Sequence, residues 1–282
     1  MKISIRFSVI AVVILICSIA GLLVGPRLLT IQAQSSVKKA IVHTPSAPAI
    51  VTIPKDRDLF EPFILTVQPG EIITWENEDS RPHSLFTTPD FSNFLNPKGL
   101  ALYVAAGQRV SLSLFVPGIY HYYDAGLDSW SKTFSRVVAG QHDKSFPMAM
   151  EGIIWVQGNI PQLPSNAMNF VLNGHDDFAS EFIAIHAPGA VTWHNLDADP
   201  HFVGLVAGWS APVNPVDIGL YRIGGTDEVI GGESITVLFN TPGLYYYYCR
   251  NHGQVDPLTH RVHALEMASE YPIPMEGFIL VV

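Results

Sequence analysis

Cysteine is nearly absent from the sequence: Cys17 and Cys249 are its two thiols in 282 residues, and the first lies in an apolar N-terminal stretch. A disulfide framework is therefore excluded, and the folded part carries a single thiol. A lone thiol in an exported chain needs a chemical reason, because exposed thiols oxidise and cross-link. Charge is scarce too, at 15% of residues, and cations are the scarcer sign, leaving a formal net charge of −9. Nucleic acid is excluded as a partner, since its phosphates require a basic face. Helical periodicity is missing outside the N-terminal run. Methionine is rare, with six unclustered residues, and no His-x-His pair occurs.

What is abundant is apolar: 48% of residues are hydrophobic, enough to bury a sizeable core, and the length suggests two domains. Gly (22) and Pro (21) are spread along the chain, which suits many short strands joined by turns. At the N-terminus, Lys2 and Arg6 precede an apolar run from about Ser8 to Val24, closed by Gly25-Pro26-Arg27. This predicts a membrane anchor over residues 1–27 with its N-terminus inside. The alternative is a cleaved signal peptide ending near Ile31-Gln32-Ala33. Either reading exports the rest of the chain. Residues 28–47 are polar and small, and read as a linker.

Beyond that linker the chain repeats itself. Pro69-Gly70-Glu71-Ile72-Ile73-Thr74-Trp75-Glu76-Asn77 leads to Pro82-His83, and Pro188-Gly189-Ala190-Val191-Thr192-Trp193-His194-Asn195 leads to Pro200-His201. Pro117-Gly118-Ile119-Tyr120-His121-Tyr122-Tyr123 matches Pro242-Gly243-Leu244-Tyr245-Tyr246-Tyr247-Tyr248. Both copies end alike, with Met150-Glu151-Gly152 and Met275-Glu276-Gly277 before an apolar strand. The expected organisation is a domain over 48–158, a linker over 159–168 and a second domain over 169–282. Runs such as Ile72-Ile73-Thr74-Trp75 are rich in β-branched and aromatic residues between Pro-Gly turns. The expectation is all-β: two tandem Greek-key sandwiches of seven or eight strands each.

The chemistry concentrates in the second copy. A strand ending in Cys249, with His252 just beyond it, puts a thiolate and an imidazole on one tight loop. His201 supplies a second imidazole from upstream, and Met275 a thioether before the last strand. Two His and one Cys with a weak axial Met form the ligand field that suits copper cycling between two oxidation states. Read singly, Cys249 and Met275 are common core fillers; the combination is what outweighs that reading. A Cys-His nucleophile pair lacks an indicated third residue, and a zinc site seldom takes Met.

In the Gly-x-Tyr-x-Tyr-Tyr-Cys-x-x-His run and the Met-x-Gly ending, this copy resembles the cupredoxins, the plastocyanin and azurin family, over about 110 residues. The resemblance implies one type 1 copper per chain, held by His201, Cys249, His252 and Met275. It departs from plastocyanin in the long segment between His252 and Met275, but loop closure costs only about 0.6 kcal/mol per doubling of length. Met267 inside that segment is the rival axial ligand, and His260 and His263 read as residues of a solvated loop. His43, His142, His175, His186 and His194 have no partner at metal-ligand spacing and default to surface or turn positions. Strand alternation points Tyr248 away from the metal.

Overlaying the copies places Asp124 at Cys249 and Leu127 at His252, while His83 and Met150 survive. The first copy is thus expected to lack blue copper, with His121 facing away from Asp124, and to act as a spacer or docking surface.

The function expected from these residues is a membrane-tethered, extracytoplasmic electron carrier and not an enzyme. Its partners would be redox proteins, among them a membrane respiratory or photosynthetic complex. Two cupredoxin-like domains also occur in copper nitrite reductases and small laccases, but those enzymes place His directly before the Cys. Here that residue is Tyr248. Copper storage or delivery would call for Met- and His-rich labile ligation, which is lacking.

Overall fold

The structure is a computed structural model that describes residues 49–172, 174–206 and 234–282. The N-terminal anchor and linker lie outside the described residues. Among those described, no helix is long and apolar enough to cross a membrane.

Every named element is a strand. The first copy contains β1 (Ala49–Ile53), β2 (Ile64–Val67), β3 (Ile72–Asn77), β4 (His83–Thr87), β5 (Ala101–Val104), β6 (Arg109–Ser113), β7 (Gly118–Asp124), β8 (Ser129–Ser131), β9 (Arg136–Val138) and β10 (Glu151–Val156). The second contains β11 (Asn166–Val171), β12 (Phe182–Ile185), β13 (Gly189–Asn195), β14 (Val203–Leu205), β15 (Ser234–Phe239), β16 (Gly243–Cys249), β17 (Gly253–Val255), β18 (Val262–Ala264) and β19 (Glu276–Val281).

Each half pairs its strands into two sheets. The first half has β1-β3-β6 facing β2-β10-β7-β4-β5, and the second has β11-β13-β15 and β12-β19-β16-β14. Corresponding strands pair in the same sense: β1 with β3 and β11 with β13 are parallel, and β7 with β10 and β16 with β19 are antiparallel. Inward residues of both sheets meet around Trp75 and Tyr122 in one half and around Trp193 and Tyr247 in the other. The hydroxyls of Tyr120 and Tyr245 donate back to the carbonyls of Val116 and Thr241, at 3.0 and 2.7 Å, pinning the turn before each central strand.

The glycine of each Met-Glu-Gly ending is a close-approach residue. Gly152 lies opposite Tyr122 and Gly277 opposite Tyr247, and a Cβ at either position would collide with the tyrosine ring.

Four consecutive tyrosines in β16 do not alternate with polar residues because both faces of that strand are covered. Tyr245, Tyr247 and Cys249 enter the core of their own sandwich. Leu244, Tyr246 and Tyr248 enter a third apolar cluster, which they share with Phe63, Ile119, Ile153 and Trp155 of the first half. The two halves therefore pack on one another along the outer faces of β7, β10, β12, β16 and β19. Beyond the spacer or docking surface expected of it, the first half buries the back of the strand that carries Cys249. The connecting segment is also shorter than expected, since β11 begins at Asn166.

The stretch between His252 and Met275 is likewise not a plain solvated loop. It folds as the hairpin β17–β18, and the first half has the matching hairpin β8–β9. The spacing from Asp124 to Met150 equals that from Cys249 to Met275, so the stretch is a feature of the repeat and not an insertion in one copy. The two hairpins also raise the strand number above seven or eight per copy.

Candidate metal centre

Three loops converge at one end of the second sandwich. Cys249 ends β16, His252 follows in the turn whose N–H bonds the Cys249 carbonyl at 3.2 Å, and His201 precedes β14, which pairs with β16. The Asn251 side chain donates to the Pro200 carbonyl at 3.0 Å and ties the two imidazole-bearing loops together. Cys249 Sγ lies 3.9 Å from His201 Nδ1 and 3.6 Å from His252 Nδ1. These three residues offer one donor atom each, all within 4.8 Å of one another.

Met275 is fully buried in the core cluster that contains Cys249, and its carbonyl accepts the Cys249 N–H at 2.9 Å. The rival Met267 is 79% exposed, which leaves Met275 as the methionine placed beside the thiol.

Both rings are held from behind. His201 Nε2 meets Asp197 Oδ2 at 3.1 Å, and His252 Nε2 meets Asp176 Oδ1 at 3.2 Å. A carboxylate on the far nitrogen fixes tautomer and ring orientation, so that Nδ1 is the free donor. The signal for Asp197 was present in the sequence, because Asn195-Leu196-Asp197 repeats the Asn77-Glu78-Asp79 of the first half. In each, the Asn side chain caps the N–H of the Asp two residues on, at 2.9 and 2.8 Å. Asp176 is distant in sequence and left no comparable trace.

Electrostatics at the sulfur also suit a cation. Burial pushes the Cys249 thiol up to about 11, although N–H groups of Phe202, Asn251 and His252 favour the thiolate. The Phe202 N–H donates to Sγ at 3.2 Å. Without a cation the sulfur keeps its proton at neutral pH; a soft cation would take the proton's place. Burial also holds the His252 imidazole below its ordinary value, against the pull of Asp176, so that ring can present a lone pair. Nitrogen, nitrogen and sulfur donors, with a thioether nearby, fit copper.

The first half keeps the frame without the donors. His83 Nδ1 is bonded to Asp124 Oδ2 at 2.6 Å, and Asp124 Oδ1 accepts the Ser84 N–H at 3.0 Å, where Cys249 Sγ accepts that of Phe202. Leu127 packs against the core, and Met150 is fully buried. His121 points to the opposite side of β7 from Asp124, as alternation requires.

The other histidines hold separate places. His175 pairs with Glu270 at 2.7 Å, and His194 stacks on Phe170. His142 and His260 are exposed, and His186 and His263 are partly buried. His43 lies outside the described residues. Tyr248 is half-buried against the cluster between the halves, away from the site.

No family model matches the chain. Among solved structures, the chain is similar to an oxidised mutant of amicyanin, at 17% identity over 42% of this chain and 82% of that one, with a TM-score of 0.28. It is also similar to the novel purple cupredoxin from Nitrosopumilus maritimus, at 20% identity over 41% of this chain and 99% of that one, with a TM-score of 0.26. Among the described residues the chain is all-β, with each half paired into two sheets in the same strand order.

Proposed function

We propose that the chain is an extracytoplasmic copper protein that carries single electrons between redox partners, tethered to a membrane by residues 1–27. The observation that carries this reading is the convergence of donor atoms of His201, Cys249 and His252 within 4.8 Å of one another, with Met275 buried in the core cluster that holds Cys249. A copper ion held there supplies a one-electron couple.

The protein's contribution is rigidity. The donors sit on paired strands and a short turn, with Asp197 and Asp176 behind the rings and Asn251 bridging the loops. Little has to rearrange when the charge at the site changes. His252 is the ring nearest solvent, at 12% exposure against none for His201, so the partner's approach is assigned to the His252 side. The halves pack face to face through β16, which keeps water from the back of that strand. The catalytic alternative, oxygen or nitrite reduction, lacks support in the sequence because Tyr248 stands where such enzymes place a His.

The test is a visible and electron-spin-resonance spectrum of the oxidised chain, with metal counted per chain. An intense charge-transfer band with one copper supports the reading. A colourless copper-loaded protein, or steady reduction of oxygen or nitrite, overturns it.

A further inference from the structure

The junction between the halves contains a polar cluster that electron transfer at Cys249 does not use. His121 on β7, Glu151 on β10 and Glu181 just before β12 are buried together, with side-chain exposures of 1, 5 and 8%. Each offers one donor atom within 4.8 Å of the others.

His121 Nε2 meets Glu151 Oε2 at 2.9 Å. Its other nitrogen, Nδ1, has no hydrogen-bond partner and stands 3.9 Å from Glu181 Oε2. Two ligands of one tetrahedral ion with bonds of about 2 Å sit roughly 3.3 Å apart, so the gap is close to what a shared cation needs. A cavity of about 140 Å³ opens onto His121 and Glu181, with Thr88 and Asp90 on its wall, and leaves room for water to complete a coordination shell.

Around the junction, the carboxyls of Glu151, Glu181, Asp177 and Glu276 face the guanidiniums of Arg136 and Arg261. Asp177 lies 2.5 Å from Arg136, whose Nη1 also stands 3.4 Å from Glu181 Oε1, and Glu151 lies 2.9 Å from Arg261.

The related position of the repeat keeps a carboxyl and a guanidinium, Glu276 for Glu151 and Arg261 for Arg136, but lacks the other two donors. Phe63 stands where Glu181 does and Tyr246 where His121 does, and the Arg261 guanidinium lies 4.3 Å over the Phe63 ring.

We propose that this junction is a second metal site, for a divalent first-row cation of the zinc class, with His121 Nδ1 and Glu181 as ligands and Glu151 holding the imidazole through Nε2. Imidazole with carboxylate and water is a donor set for borderline divalent ions and not for the soft centre at Cys249. A carboxylate behind a ligating His is the arrangement that fixes tautomer and ring at such sites.

The test uses the full chain with Cys249→Ser, so that the thiolate centre cannot take the metal, titrated with Zn²⁺ alone. One zinc per chain is expected. Glu181→Gln should abolish its binding, and Glu151→Gln should weaken it about 10- to 100-fold. Crystals of the zinc-soaked chain should show an anomalous peak between His121 and Glu181, which decides the matter even if a variant fails to fold. No zinc uptake at about 100 µM, uptake unchanged by Glu181→Gln, or a peak elsewhere overturns the proposal.

Discussion

The two copies answer one structural problem in two ways. Each brings a His loop against the end of a central strand, and each aims the N–H after that His at the strand's last side chain. In the first copy that side chain is Asp124, and the His83 ring closes on it at 2.6 Å. The hydrogen-bonded pair completes itself. In the second it is Cys249, and the two rings stop at 3.6 and 3.9 Å, too far apart for strong hydrogen bonds and near enough to share an ion. A carboxylate fills its site from within, whereas a buried thiol leaves a place for a cation. One substitution at the strand end, with Leu127 for His252, separates a structural pair from a metal centre.

The largest expected effect breaks this contrast outright. Cys249→Asp should turn the second copy into the first: the intense visible band disappears while the fold is retained, as absorption and circular dichroism would record. Persistence of the band would remove Cys249 from the ligand set. The converse change, Asp124→Cys with Leu127→His, should add a second copper per chain and raise the band, since His83 and Met150 are already in place. If copper per chain stays unchanged, the frame of the first copy has diverged in more than its donors.

Next in size is the structural pair itself. Asp124→Ala leaves His83 buried at 1% exposure without the hydrogen-bond partner of its Nδ1, and leaving a buried polar group unsatisfied costs about 1–3 kcal/mol. Denaturant titration should show that loss with the visible spectrum of the second copy unchanged. A cost below about 1 kcal/mol would mean that the pair is not what holds this end of the first copy together.

Smaller still is tuning by the axial thioether. Met275→Leu should keep the colour and raise the reduction potential on the order of tens of millivolts, because a weak donor to the oxidised ion is lost. Met267→Leu, on a side chain 79% exposed, should change nothing measurable by voltammetry. The reverse result would reassign the axial ligand.

Much of this contrast was legible in the sequence. The repeat gave the register of the copies, because Pro-Gly turns and tyrosine positions recur at fixed offsets, and those offsets located Asp124 and Leu127 opposite two ligands. Period-2 alternation placed His121 and Tyr248 on the outer face. What that face meets was not legible: alternation shows that a residue leaves its own core, not that a second sandwich covers it. For the same reason Arg136, Arg261 and Glu181 gave no signal, since their partners lie in the other half. Asp176 was hidden similarly, because its contact with His252 is set by tertiary packing and not by spacing. The hairpin before Met275 was read as a solvated loop because its counterpart before Met150 shares its length but little of its sequence.

The smallest expected effect concerns protons in the first copy. Burial pushes Asp143 up to about 7 and Asp128 up to about 6, although N–H groups of Ser145, Gly140 and Met150 bond their carboxylates. Unfolded, both groups return to near 4. Between those values the folded chain binds protons that the unfolded chain does not, so stability rises as pH falls from 8 toward 5 and is lost as pH climbs through 6 and 7. His252 opposes this: burial lowers it, so its contribution falls as pH drops through its unfolded value of 6.5. Asp143 and Asp128 alone contribute a gain of about 2 kcal/mol from pH 8 to pH 5.5 once solvent screening is discounted, and His121, Glu181 and Glu276, all shifted up in the fold, act in the same direction. At roughly 2–4 °C per kcal/mol, the unfolding midpoint of the metal-free chain should rise by several degrees. Asp143→Asn isolates the cause. Asp143 Oδ1 accepts the Ser145 N–H at 2.6 Å and Oδ2 has no partner, so the amide keeps the bond and drops the buried charge. That variant should melt higher than the parent at pH 8 and show a flatter pH profile. A midpoint that falls from pH 8 to pH 5.5, or an Asp143→Asn chain as steep as the parent, would show that these carboxyls are ionised in the fold at no cost.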